Sequence, residues 1–349
     1  MFSGVRLLFC LFVTLGAAYA EGPLQWGEDT PISITGPRAG HQLVLMNASE
    51  DLTRKAIYTA IPDDIVEIDS SGYIRPLKNG TATIRATANE ISSPERQVTV
   101  TKYEVLPPVG FVNEIVPLFT RHGCNGGSCH GKVGGQNSFR LSLMGFEPEK
   151  DRSYLTESRG RRIFRAAPAH SLLALKGSGQ LPHKGGSRLT PGGDDYKLLI
   201  DWIGQLGSPG EPDTPEPDVE RIIVMPSERI TLAEASQQLR VTAHMSDGTS
   251  RDITRAALYE SNDESMAEVD LLGLVKLRGK SGTVSVMVRF REEMAVFRAT
   301  VPLGAPMENI PAPHSLIDTH VFAKLQTLGL PPSERCDDGT FLRRVTVDL

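Results

Sequence analysis

Asp51-Leu52-Thr53-Arg54-Lys55-Ala56-Ile57-Tyr58 returns 201 residues later as Asp252-Ile253-Thr254-Arg255-Ala256-Ala257-Leu258-Tyr259. The same offset joins Asp69 to Asp270 and Gly72 to Gly273. One inserted residue then aligns Gly80-Thr81-Ala82-Thr83-Ile84 with Gly282-Thr283-Val284-Ser285-Val286. A repeat of this kind means that one structural unit occurs twice. Each copy carries alternating apolar and polar runs broken by glycine, the pattern of short half-buried strands, and such strands over about eighty residues predict a β-sandwich.

These runs resemble bacterial immunoglobulin-like modules of the intimin/invasin type. The resemblance implies sandwiches over residues 26–102 and 218–303, with the match reaching back to 217 in the second copy. The shared Asp-Leu/Ile-Thr-Arg run contains groups able to ligate calcium. Local hydrogen bonding at a strand start is the stronger reading for Asp and Thr, and no site is assigned there.

Residues 106–208, between the copies, are built differently. Phe111, Ile115 and Phe119 have helical spacing, with Pro117 expected to kink or shorten that helix. A second helix is expected after Pro191-Gly192-Gly193, starting on Asp194 and Asp195, burying Leu199, Trp202, Ile203 and Leu206, and ending at Gly207. Between them stands Cys124-Asn125-Gly126-Gly127-Ser128-Cys129-His130. Two thiols followed at once by an imidazole suit covalent haem attachment, with thioethers from Cys124 and Cys129 and His130 as proximal iron ligand. Four residues separate the cysteines where two are usual, and Gly126-Gly127 is expected to let the longer loop fold back. The same residues would also serve as part of a zinc site, which lacks a second cysteine pair, or as a small disulfide. Haem is the preferred reading.

The chain of 349 residues is long enough for two to four domains. Its formal charge of -5 gives no reason to expect nucleic acid as a partner. Residues 1–20 read as a secretory signal: Arg6, the apolar run from Leu7 to Gly16, then Ala18-Tyr19-Ala20. No later segment approaches a membrane span. The chain is therefore expected to be exported, in the periplasm or at the cell surface. Residues 209–217 are a proline-rich linker, and residues 314–349 read as the start of an incomplete domain.

The order of parts resembles the large exported multidomain cytochromes typical of planctomycetes. The resemblance rests on Phe111 to Gly131, on Phe139-Arg140-Leu141-Ser142-Leu143 with Leu181 to Gly186 and Leu199 to Ile203, and on Ile317 to Leu349. It implies a multidomain chain in which two immunoglobulin-like β-sandwiches flank a small all-α cytochrome c-like domain, followed by a partial helical segment. It further implies haem c, electron transfer rather than catalysis, and a redox partner protein that the sequence does not name. The sandwiches would act as spacers, with possible surface or polysaccharide contacts. The alternative is an adhesion or scaffolding protein whose Cys124–Cys129 pair is a disulfide and which carries no haem. Small cytochromes of this kind usually offer a methionine before proline as the sixth ligand; here the dipeptide is Leu181-Pro182, and His183 is the candidate distal ligand, with Met144 the runner-up.

Among the remaining groups, Arg159, Arg161, Arg162 and Arg165 suit haem propionates or, more simply, a solvated basic face. His122 lies near the loop, His41 and His244 have no evident partner, and Cys336 reads as an incidental free thiol.

Overall fold

A computed structural model describes residues 22–348, except 49, 158–161, 207–214 and 308–309. The expected signal and most of the 209–217 linker lie outside the described residues, as do Arg159 and Arg161.

In the first sandwich β1 (Ile32–Thr35), β2 (Ile57–Ile61), β3 (Gly80–Ala88) and β4 (Arg96–Thr101) form a sheet in the order β1-β4-β3-β2. β1 runs parallel to β4 and the other pairs are antiparallel. A three-stranded sheet of His41–Gln42, Tyr73–Pro76 and Val66–Ile68 covers it. In the second sandwich β5 (Glu228–Ile230), β6 (Leu258–Ser261), β7 (Gly282–Phe290) and β8 (Glu293–Val301) repeat the order as β5-β8-β7-β6, again with one parallel pair. Alternation explains the cores. Along β3 the inward residues are Ala82, Ile84, Ala86 and Ala88; along β7 they are Val284, Val286, Val288 and Phe290.

The duplicated glycines have a steric cause. Gly72 and Gly273 sit at φ of +75° and +78°, a conformation glycine adopts freely. A Cβ on Gly72 would come within 2.9 Å of the Tyr58 hydroxyl, and one on Gly273 within 3.0 Å of that of Tyr259. Each tyrosine in turn donates to the carbonyl of Thr53 or Thr254, at 2.7 and 2.8 Å.

The sandwiches are not separate spacers; they dock on each other. The Asp-x-Thr-Arg run explains how. As expected, Oδ1 of Asp51 and of Asp252 accepts locally, from the N–H groups of Thr53 and Thr254, both at 2.9 Å. The other oxygen crosses between modules. Asp252 Oδ2 accepts from Gln42 N at 2.7 Å, and Asp51 Oδ2 from Gln238 N at 2.9 Å. Arg255 reaches Asp69 at 2.7 Å while Arg54 reaches Asp270 at 3.3 Å. The seam is self-complementary, as two-fold interfaces between identical subunits are. Local sequence reasoning saw only half of each aspartate.

The intervening segment is helical and loop-rich. A π-helical turn (Phe111–Ile115) leads into α1 (Val116–Arg121), followed by α2 (Pro148–Thr156), α3 (Leu172–Gly177) and α4 (Asp194–Gln205). Pro117 falls in the first turn of α1, directly after the π-helical turn of an unbroken helical run, so the irregularity sits beside the proline. No strand occurs between residues 109 and 206 among the described residues, only an isolated bridge of Gln136 with Phe139. Phe111 packs on Trp202 with ring centroids 5.2 Å apart, and Ile115, Phe119, Leu199 and Ile203 complete the core. Gly207 lies outside the described residues.

The molecule is thus multidomain and mostly β, with a few helices. At its far end α5 (Leu316–Leu328) and α6 (Asp338–Asp348) leave Leu316, Ile317 and Phe341 exposed. No helix among the described residues is long and apolar enough to cross a membrane.

Candidate functional site

The cysteine loop grows from the end of α1. Gly123, at φ +70°, stops the helix, and Cys124 N donates back to Phe119 O at 2.8 Å. The loop closes when His130 N donates to Cys124 O at 3.0 Å, which keeps the histidine beside the first cysteine despite the four-residue spacing. The expectation for Gly126-Gly127 fails, because neither has a positive φ. Gly131 supplies the tight approach instead: a Cβ there would overlap the Asn125 carbonyl. Asn125 is 1% exposed and anchors the loop inward, donating to Thr120 Oγ1 at 2.8 Å while its carbonyl accepts from Met144 N at 3.1 Å.

Cys124, Cys129 and Cys336 are free thiols. Burial pushes the Cys124 thiol up to about 11, so it is protonated and a poor nucleophile at neutral pH.

His130 and His183 come from different loops, yet their rings stand 6.2 Å apart between centroids with planes 4° from parallel. Each is held in the same way. His130 Nδ1 lies 3.0 Å from the Phe139 carbonyl and His183 Nδ1 lies 2.9 Å from that of Gly186. A carbonyl can only accept, so both Nδ1 atoms carry the proton and both Nε2 atoms keep a lone pair. That second bond, fixing tautomer and ring angle, is the usual support of a metal-ligating histidine. Burial lowers the His130 pKa, the Phe139 carbonyl offsets part of this, and His183 adds to the lowering. The Phe139 ring rests on His130 at 4.4 Å, and the Arg162 guanidinium lies over the Phe139 ring at 4.7 Å. Gly185 is required beside His183, since a Cβ there would meet Cε1 at 2.9 Å.

The other candidates go elsewhere. His122 is paired with Asp195 at 2.7 Å; burial by itself would raise the Asp195 pKa, but His122 and Arg121 hold it below the usual range. Met144 turns into a cleft of about 300 Å³ between the loop and the second sandwich, lined also by Gly126, Arg188, Leu258, Glu260 and Leu271. His41 meets Arg240 at 3.3 Å and His244 meets Ser250 at 3.0 Å. No group of three or more His, Cys, Asp or Glu suited to a metal ion occurs among the described residues, so the zinc reading gains no further ligand.

Residues 218–289 match the family model "Bacterial Ig-like domain (group 2)". No curated protein sequence matches the chain. Similar solved structures include the S-layer protein rSbsC(31-844), at 10% identity and a TM-score of 0.23, covering 83% of this chain and 29% of that one. Domains 5-6 of the S-layer protein SbsC give 10% identity and a TM-score of 0.30 over 80% of this chain and 97% of that one. A C-terminal 282-residue fragment of intimin, in complex with the intimin-binding domain of its translocated receptor, gives 10% and 0.16, over 81% and 64%. The chain thus spans less than a third of the S-layer protein rSbsC(31-844). At these TM-scores the likenesses carry no argument about function.

Proposed function

We propose that this chain is an exported multi-module protein in which two docked immunoglobulin-like sandwiches hold a helical segment that carries one haem c. Cys124 and Cys129 would form the thioethers, with His130 as proximal and His183 as distal iron ligand. One observation carries the reading: two histidines from separate loops lie with parallel rings 6.2 Å apart between centroids, and each Nδ1 is tied to a main-chain carbonyl, which leaves Nε2 as the atom for a metal. Two iron–imidazole bonds of about 2 Å, plus about 1 Å from each nitrogen to its ring centre, require roughly 6 Å between centroids. The 6.2 Å between centroids supports the reading in length, and the reading further requires both ring planes to contain the line to the iron. Leu143 and Leu181, 48% and 37% exposed, lie in the same two loops and offer apolar cover to a porphyrin. Haem bound there would supply one-electron chemistry, and two imidazoles would set a lower potential than imidazole with thioether. Electron transfer is the role proposed here for that haem.

The test is a preparation exported from a host competent in haem attachment. Haem should remain on the polypeptide through denaturing electrophoresis, and His183→Ala should change the visible spectrum while leaving the covalent attachment. No covalent haem would overturn the proposal; an unchanged spectrum would remove His183 alone.

The second reading is a surface scaffold with a Cys124–Cys129 disulfide and no haem. It is favoured by the matched bacterial Ig-like module and by the share of the chain given to docked sandwiches. Thiol counting separates the two, since reductant would open a disulfide and leave thioethers untouched.

A further inference from the structure

The strand β2 reads Ile57-Tyr58-Thr59-Ala60-Ile61 and alternates in burial. Tyr58 and Ala60 pack on the core, while Ile57, Thr59 and Ile61 point outward, the two isoleucines 73% and 75% exposed. β2 stands last in its sheet. Among the described residues its backbone pairs with β3 alone, so its other row of N–H and C=O groups faces outward. Bare edges of this kind are normally blunted by charge, by proline or by a covering element. The comparison with the second sandwich runs the wrong way for a bare edge. There β6 is covered by α1, yet it carries Glu260 at the position of Thr59, and Asn262 follows at that of Ile61. The uncovered strand is the uncharged and more apolar one.

We infer that β2 is a homotypic docking edge, at which two copies of this chain pair their β2 strands antiparallel about a two-fold axis through Thr59. The two sheets then become one continuous sheet, and each copy uses the same patch, as closed two-fold interfaces require. The strand is a near-palindrome that suits this register. With Thr59 opposite Thr59 of the second copy, Ile57 meets Ile61 on the outer face and Tyr58 meets Ala60 on the inner one, in both halves. Cross-strand pairs of β-branched residues and of threonines are favourable ones. Charge points to the same register. The two-fold brings the Lys55 end of each strand to the Asp63 end of the other; the Lys55 side chain is 58% exposed, and Asp63 is exposed with no ion-pair partner among the described residues. Parallel pairing would set lysine beside lysine and aspartate beside aspartate. A strand from an unrelated protein would use the edge but gives no reason for the palindrome or for its oppositely charged ends. The inference involves neither the cysteine loop nor haem, so it stands or falls apart from the function proposed above.

The experiment is sedimentation velocity on the full exported chain from about 2 to about 200 µM, because an edge of five residues buries less than a standard interface and its dimer is weak. The chain should shift from monomer to dimer across this range. Thr59→Lys sets two ammonium groups face to face at the axis and should weaken the dimer at least tenfold. Two double variants test the register. Ile57→Lys/Ile61→Glu places opposite charges across from each other in both halves, and Ile57→Lys/Ile61→Lys places like charges there, so the first should associate at least tenfold more tightly than the second. Ile230→Lys, at a 62% exposed position of the second sandwich, should change the dimer less than twofold. All of these positions face solvent, and an unchanged melting profile shows that the fold is kept. Equal affinity in the two double variants, or a dimer untouched by Thr59→Lys, would overturn the inference. So would monomers at every concentration, whether or not they bind a fluorescent Val-Thr-Val-Thr-Val peptide, since such binding would give the edge to a strand of another protein.

Discussion

The two sandwiches share sheet order, the seam aspartates and a tyrosine under a glycine, but their equivalent edge strands meet different surroundings. In the second, β6 lies against α1, and Leu258 and Glu260 wall the cleft beside the cysteine loop. In the first, β2 leaves Ile57 and Ile61 73% and 75% exposed. The seam is conserved between copies because it must be self-complementary, whereas an edge is free to diverge according to what the chain places on it. The second sandwich is therefore part of the site's wall and not merely a spacer.

The cores differ as sharply, and the largest expected effect tests this. Phe290 closes β7 where the first sandwich has Ala88, and both are buried. Phe290→Ala should cost about 3–5 kcal/mol, because lost transfer energy and a residual cavity add. Chemical denaturation followed by fluorescence and circular dichroism would measure it. A cost below about 1 kcal/mol would mean that this core collapses around the gap as an Ala-lined core does.

The seam comes next. Asp252→Ala strips acceptors from Thr254 N and Gln42 N, and Asp51→Ala does the same to Thr53 N and Gln238 N. An N–H left buried without a partner costs about 1–3 kcal/mol, so each variant should lose about 2–4 kcal/mol once relief of carboxylate desolvation is allowed for. If the seam is one cooperative unit, the double variant should lose clearly less than the two single losses combined. Strict additivity would show two independent contacts. The first outcome would also favour joint unfolding of the sandwiches, visible as a single calorimetric transition.

Much of this was legible in the sequence, for a physical reason: repeats, strand alternation and helical spacing are local. Asp51, Gly72 and Gly80 marked the sandwich because their twins recur at nearly constant offset, and Phe111, Ile115, Leu199 and Trp202 marked a helical core by spacing alone. The seam was hidden because Asp252 bonds Gln42 across 210 residues, a separation that no local pattern encodes. Gly126-Gly127 misled because glycine's freedom was assumed to be used, while the needed position was Gly131, where the constraint is contact rather than backbone angle. His183 was reached from the failure of Leu181 to offer a ligand; its carbonyl-held ring required coordinates.

The smallest effect concerns another difference between the copies. His41 of the first sandwich occupies the place of Gln237 in the second, each one residue before the glutamine that crosses the seam. Burial, with Arg240 beside it, lowers the His41 pKa from 6.5 to about 3. The imidazole is therefore neutral in the folded protein and cationic in the unfolded chain below pH 6.5. The unfolded state then binds more protons, so this histidine makes stability fall as pH drops from about 6.5 toward 3. Asp51 works in the opposite sense. Burial raises its pKa to about 6, so the folded state binds the extra proton and stability rises as pH falls through the interval from about 6 to 3.8. The two trends partly cancel in the wild type, and His41→Gln, which makes the first sandwich resemble the second, removes only the destabilising one. Relative to wild type, the variant should gain about 2 kcal/mol between pH 7 and pH 5, because one full unit of displaced titration is worth about 1.4 kcal/mol and about one and a half units are crossed. Parallel stability–pH curves for the two proteins would show that His41 is solvated and that the seam is looser in solution than its hydrogen bonds imply.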